Sequence, residues 1–358
     1  MPSLRLIKNE RLELHHLFVL IACIYLIFSN ISIISAFVFL ISALFFYISF
    51  IVGKKLYSKF STLPNFNEKK HYTFGLILMI IGLIFIIADL LWVRDVPLFD
   101  PLSRRFLSVY FTTFSHLFLL GWAIVIASTN IERKKVIAYT AVFAVLIMLL
   151  GYRTNVLVLL ISSIIVLYYK GDISNRELFK YGIGVFAVLI FLSALRLYVL
   201  GVGGNPITSR IELTMSVYDI IFNNFNGIFN GYIHYSAVFS YLGMCSGART
   251  VIAHILGIYG VSITPTIVGA VVGDYGTLAV IPYFGILGIF LGFFYKLSER
   301  LKGIYLGVYG ILFAYTLIAI ESGILDLDVI IYYLFGMLLC IYALISGKLK
   351  NLKNLKGF

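Results

Sequence analysis

Apolar residues in this chain gather into long runs separated by short polar links. The runs fall at about 15–29, 31–52, 72–92, 106–128, 136–150, 155–169, 181–200, 276–296, 303–321 and 328–347. Most approach the roughly 20 residues that an α-helix needs to cross a hydrocarbon layer about 30 Å thick. Backbone groups in lipid must satisfy one another, so runs of this length predict helices. A membrane β-barrel would alternate apolar and polar positions in units of about ten, and these runs do not. The pattern predicts an all-α polytopic bundle of about ten spans, one membrane domain over residues 1–358.

One interval breaks the pattern. Gly201–Thr266 is a large loop studded with Arg210, Glu212, Asp219, His234, Arg249 and His254. Within it, Pro206-Ile207-Thr208-Ser209 with Glu212 three residues after Ser209 fits a helix start with a capping box. An amphipathic helix over about 208–223 is expected, lying along the membrane surface. The apolar run Tyr232–Ile258 is broken by Gly243, Gly247 and Gly257, with Gly260 just beyond, which predicts turns and short interfacial helices that either pack back towards the bundle or re-enter the membrane partway.

Composition narrows the class. The chain is 61% hydrophobic and 12% charged, whereas soluble domains are about a quarter charged. The net charge of +12 does not point to nucleic acid, because the lysines sit in short links between spans. Ten spans place both termini on one face. That face collects 21 of the 28 Lys and Arg residues and every lysine. Cationic loops mark the cytoplasmic side, so a multi-pass cell-membrane protein with both ends cytoplasmic is expected. The first apolar run follows Arg5, Lys8 and Arg11 without a small-residue cleavage site, and reads as a retained span. Cys23, Cys245 and Cys340 have no CxxC spacing and predict no disulfide.

The opposite face changes the picture further. Its seven basic residues, Arg94, Arg104, Arg105, Arg153, Arg196, Arg210 and Arg249, are all arginine. A guanidinium grips phosphate through two parallel hydrogen bonds and stays ionised when partly desolvated. Arg196 lies about a turn inside its span, where charge is costly and marks function. Any one of these arginines could instead snorkel to the interface or pair with Asp89, Asp95 or Asp274. As a set, they point to an anionic substrate at the outer surface, at the depth of a lipid diphosphate head group.

Three stretches resemble the oligosaccharide repeat unit polymerases, the O-antigen polymerase family of membrane glycosyltransferases. They are VPLFDPLSRR (Val96–Arg105), GYRTNVLVLLIS (Gly151–Ser162) and ITPTIVGAVVGDYGTLAVIPYFGILGIFLG (Ile263–Gly292). In the third, Thr264-Pro265, Gly269 and Gly276 match the family spacing ahead of an apolar helix. Ala270 departs from it, standing where an acidic residue is expected, with Asp274 four residues on. The resemblance implies a reaction. A polyprenyl-diphosphate-linked glycan is the donor, a hydroxyl of a second lipid-linked unit is the acceptor, and polyprenyl diphosphate is released on the outer face of the cytoplasmic membrane.

Such a transfer assigns candidate roles. Arg153, Arg210 and Arg249, with Arg196, would stabilise the departing diphosphate. His234 or His254 would take the acceptor proton, with Glu212, Asp219 and Asp274 as alternatives. We place Arg153, Arg210, His234 and Arg249 in the catalytic set. Arg94, Arg104, Arg105, Arg196, Glu212 and Asp274 form the substrate-binding set. Tyr218, Phe222, Phe225, Phe229, Tyr232, Tyr235, Phe239 and Tyr241, interleaved with Asn223, Asn224, Asn226 and Asn230, would line a glycan groove or sit at the membrane interface. His116, mid-span, reads as an interior polar group, and Asp326-Leu327-Asp328 as a solvated loop or helix cap. No cofactor or metal is expected, and neither a P-loop nor HExxH occurs. Partners would be the lipid-linked glycan, the bilayer and envelope-assembly proteins. A glycan ligase of similar fold, or a transporter or flippase for an anionic glycolipid, are the alternatives; a carrier would be expected to show inverted repeats, and none is visible.

Overall fold

The computed structural model describes residues 11–57, 68–100, 103–200, 203–206 and 208–355, and these residues form helices without strands. Eight helical segments are long and apolar enough to cross a membrane: Ile33–Tyr57, Lys70–Val93, Val109–Ser128, Arg153–Lys170, Asn175–Val199, Thr277–Leu301, Gly303–Ser322 and Leu327–Ser346. Two helices at the positions of further expected spans are shorter. These are α1 (Leu14–Ile27, 14 residues) and α6 (Arg133–Met148, 16 residues). Between them lie α2 (Ile33–Tyr57), α3 (Glu68–Val93), α4 (Val109–Ser115) and α5 (Leu117–Ser128). The expected span at 106–128 is therefore divided, with the break at His116.

The bundle is built around α14 (Gly303–Ser322), in which 16 of 20 residues are buried. A helix apolar on every side belongs inside a bundle. Glycines let its neighbours approach closely, as small residues do in membrane helix pairs. A methyl group added to Gly307 would stand 2.6 Å from the Ile124 Cα on α5. The same device joins α2 to α13 (Val280–Leu301), where a methyl on Gly292 would lie 2.0 Å from the Phe50 carbonyl oxygen.

Polar contacts distinguish the two ends. At the lysine-bearing end, Lys54 donates to Glu13 at 2.5 Å and Lys302 to the Tyr169 carbonyl at 3.0 Å. Lys170, at the end of α7 (Arg153–Lys170), donates to the Thr129 carbonyl. Tyr168 reaches Asn175, the first residue of α8 (Asn175–Leu200), at 2.6 Å. At the other end, the start of α7 meets the ends of α1 and α14.

Three helices fall within the interval 208–255: α9 (Thr208–Asn224), α10 (Tyr232–Phe239) and α11 (Ala248–Ile255). The expected amphipathic helix is α9, whose buried residues Ile211, Thr214, Met215, Tyr218 and Ile221 recur at helical spacing. Its start differs from the expected capping box: the Thr208 amide donates to the Asn205 side chain at 3.4 Å. Tyr218 donates to the Ser35 carbonyl at 2.8 Å, and Asp219 accepts from the Ser32 hydroxyl at 2.9 Å, tying α9 to the start of α2. Residues Thr266–Tyr275 form a further helix, α12, that lies just beyond the expected loop boundary. All of Thr266–Asp274 are buried. A second apolar core, with Val217, Ile221, Ile233, Ile252 and Ala270, packs α9, α10 and α11 onto α12. The long helix α15 (Leu327–Leu355) closes the chain.

Candidate active site at the arginine-bearing end

Arg153 and Arg210 are 57 positions apart in the chain, yet they share one oxygen. Glu321 Oε1 accepts from Arg153 Nη2 at 2.8 Å and from Arg210 Nε at 2.7 Å. The other oxygen, Oε2, accepts from the Tyr25 hydroxyl at 3.0 Å. Arg153 also donates to Ser193 at 3.2 Å, and Arg210 Nη2 to Thr264 at 3.1 Å. Five elements thus meet at one point: the ends of α1 and α14, the starts of α7 and α9, and the second half of α8. Both guanidiniums keep an open face, with side-chain exposures of 20% and 30%. Four N–H donors are engaged in these bonds, of five on each guanidinium, so donors remain for an incoming anion.

A second pair lies at the far end of α12. Asp274 Oδ2 accepts from His234 Nδ1 at 2.6 Å. The same carboxylate accepts the backbone amides of Ile233 and His234 at 2.9 Å each. These are first-turn amides of α10, so Asp274 caps that helix from a distance. A carboxylate acceptor fixes the Nδ1–H tautomer and leaves Nε2 free to take a proton. Asp274 is fully enclosed, while the His234 ring is 21% exposed and lies between Tyr275 and Tyr283, with centroids 5.6 and 5.9 Å away. The ten-residue α12 separates this pair from Thr264, a rise of roughly 15 Å at 1.5 Å per residue.

Arg249 does not join the Glu321 cluster. It pairs with Asp326 at 2.5 Å. Asp328, two residues on, meets His116 Nδ1 at 2.5 Å, and His116 Nε2 meets the Asn155 amide at 2.5 Å. Asp326-Leu327-Asp328 stands at the start of α15, the cap position the sequence allowed, and it also links α11 to the break between α4 and α5 and to the first turn of α7. The Asp326 side chain stays 34% exposed, whereas that of Asp328 is 5% exposed. His116 is the satisfied interior polar group the pattern implied.

The remaining sequence-predicted residues scatter more widely. Arg104 lies in a short 3-10 turn, Ser103–Phe106, with its guanidinium 4.6 Å above the Tyr152 ring. That contact is a cation–π arrangement. Gly151, at φ +72°, allows it, since a methyl there would stand 2.9 Å from Arg104 Cδ and 3.0 Å from the Pro97 carbonyl oxygen. The Leu98 amide donates to the Leu149 carbonyl at 3.2 Å, so the stretches VPLFDPLSRR and GYRTN pack together. Arg94 is exposed, as is Glu212 on the outer face of α9. Arg105 and Arg196 fall in helical turns, and their side chains lie outside the described residues. Among the described residues, no three His, Cys, Asp or Glu side chains form a group that could hold a metal.

Sequence reasoning missed Glu321, Tyr25 and Asn155. Glu321 closes the expected span 303–321, and a lone carboxylate at the arginine-bearing end of an otherwise apolar helix was the available signal. Tyr25 and Asn155 carried none, because both look like ordinary residues of apolar helices.

A family model described as "Putative O-antigen polymerase" matches residues 11–333. The uncharacterized protein MJ0419 of Methanocaldococcus jannaschii is 72% identical over 344 residues, which cover 95% of this chain and 97% of that relative. No solved structure matches. The family match takes in all three stretches that carry the resemblance, together with Arg153, Arg210, His234, Asp274 and Glu321, and on it the chain belongs to the O-antigen polymerase family.

Proposed function

We propose that the protein is a membrane glycosyltransferase that polymerises polyprenyl-diphosphate-linked oligosaccharide repeat units on the outer face of the cell membrane. In this reading α1 and α6 cross the bilayer with the eight longer segments, which gives ten crossings. The lysine-bearing end and both termini face the cytoplasm. The observation that carries the proposal is the convergence of Arg153 and Arg210 on a single carboxylate oxygen.

The chemistry follows from charge. As the glycosidic bond to the diphosphate breaks, its electrons pass to the leaving oxygen and negative charge grows there. Two preorganised guanidiniums stabilise that charge more in the transition state than in the bound substrate. They supply the cationic field that a divalent ion would otherwise bring, so we propose a metal-independent reaction. The acceptor hydroxyl attacks the anomeric carbon of the donor and loses its proton to His234 Nε2. Asp274 orients the ring and stabilises the imidazolium, the role a buried carboxylate plays beside a catalytic histidine. Exposed Tyr235 and Phe239, 43% and 40% accessible, offer ring faces for sugars. The two charged groups stand roughly 15 Å apart by the length of α12, so the bound glycan, or a movement of the loop helices, must bring base and diphosphate to the same bond.

The test uses purified protein in detergent with lipid-diphosphate-linked repeat units. Chain growth with release of lipid diphosphate, in the absence of a sealed membrane, is expected of a polymerase. A carrier would produce neither. Transfer to a different acceptor, with no growth of the repeat-unit chain, would indicate a ligase.

A further inference from the structure

Glu321 poses a problem that the proposed reaction does not answer. A site meant to grip an anion already holds one. The Glu321 carboxylate takes one hydrogen bond from each guanidinium on a single oxygen, as a phosphate oxygen would. Tyr25 holds the second oxygen at 3.0 Å, so the carboxylate is fixed from both sides. The group is not a remote counterion. Its side chain is 22% exposed, beside Arg153 and Arg210 at 20% and 30%.

Two consequences follow. Without an anion between them, the two guanidiniums would repel each other, and their side chains would sample many rotamers. With it, they are held in one geometry before substrate arrives. The same carboxylate must also yield its hydrogen bonds, at least in part, when a diphosphate enters. Net charge in the cluster is +1 with Glu321 ionised and +2 without it. A cluster of +2 would hold the released lipid diphosphate more tightly than a repeating reaction can use, because each round ends with that product in the site.

We propose that Glu321 is a resident competing anion: it presets Arg153 and Arg210, and it limits how tightly the lipid diphosphate product is held, so that the product leaves between rounds. The proposal rests on the reading of Arg153 and Arg210 as the diphosphate cradle.

The experiment measures binding of inorganic pyrophosphate, and of a short-chain isoprenyl diphosphate, to the purified full-length protein in detergent by calorimetry. Wild type, Glu321→Gln and Glu321→Asp are compared, with folding checked by thermal unfolding. Glu321→Gln removes the charge and keeps the shape. Binding is expected to tighten by about tenfold, the change that ~1.4 kcal/mol of relieved competition produces. Glu321→Asp keeps the charge but withdraws it by one methylene, and an intermediate tightening is expected. In turnover, Glu321→Gln should lower kcat and KM together, with stronger inhibition by added isoprenyl diphosphate. A merely structural role would weaken binding and raise KM.

Affinities that are equal in wild type and both variants, or weaker in the variants, overturn the proposal and leave the cradle standing. Absence of binding in wild type and variants alike overturns the cradle, and this proposal with it. Should Glu321→Gln not fold, Glu321→Asp decides alone: tightening supports the proposal, and no change or weakening contradicts it.

Discussion

Asp274 grips His234 twice, through the ring Nδ1 at 2.6 Å and through the backbone amide at 2.9 Å. One buried carboxylate therefore sets both the direction of the imidazole and the start of the helix that carries it. The two duties separate by mutation. Asp274→Asn keeps one acceptor oxygen, which can serve one of the two α10 amides, sets an NH2 group against the other, and no longer stabilises the imidazolium. Turnover should fall by at least about a hundredfold, within the range of lost general-base orientation, while the unfolding temperature falls less than in Asp274→Ala. Asp274→Ala leaves two buried amides unpaired and should lower thermal stability as well, by about 2–3 kcal/mol. Kinetics and thermal unfolding of both variants check this; equal kinetic and thermal behaviour in the two would contradict it.

Arg153 and Arg210 share Glu321 Oε1, so their effects should not add. Lysine offers a point charge without the planar fork, and Arg153→Lys and Arg210→Lys should each reduce chain growth strongly, by about a hundredfold. In a double-mutant cycle, the double variant should depart from additivity by roughly 0.5–3 kcal/mol, as directly coupled residues do. Additive losses would place the two arginines in separate events.

Asp219 makes stability depend on pH. Burial alone would raise its carboxyl, but hydrogen bonds from Ser35 and Ser32 outweigh burial and hold it below its ordinary value. A depressed carboxylate contributes stability that is fully present above its unfolded pKa and is lost as the pH falls through the lowered folded value. The link between α9 and α2 should therefore weaken only in acid. Asp219→Ala should cost about 1 kcal/mol near neutrality, less than a buried charged bond because the site is partly exposed. That difference should vanish in strong acid. Thermal unfolding against pH for both proteins is the check.

The α2–α13 interface is predicted to be intolerant of side chains. Gly292→Ala would set a methyl 2.0 Å from the Phe50 carbonyl oxygen, so the helices must separate. A loss of about 1–3 kcal/mol is expected, as for overpacking, and thermal unfolding in detergent measures it. Gly182, on α8, has nothing within 4 Å of an added methyl and serves as the neutral comparison.

Hydrophobic runs made the helices legible, since lipid leaves few alternatives to a long apolar helix. The break at His116 was not visible in that pattern, because Val109–Ser128 stays apolar on both sides of it. The amphipathic α9 was visible in its spacing. Helix α12 was not, because Thr264-Pro265 and its glycines read as a link before a span. Charge segregation drew attention to the seven arginines but could not pair them. Arg249 finds Asp326, and Arg210 finds Glu321 111 positions away, and neither pairing leaves a local signature. The acidic pair Asp326 and Asp328 looked solvated because its partners, Arg249 and His116, come from distant helices.

In the proposed reaction Arg153 and Arg210 together hold the leaving diphosphate. A structure of the protein with a lipid-linked diphosphate bound tests this most directly. Diphosphate oxygens are expected within hydrogen-bond distance of both guanidiniums, with at least one of their bonds to Glu321 lengthened or broken. A diphosphate bound elsewhere, with the Arg153–Glu321–Arg210 bridge intact, would contradict it.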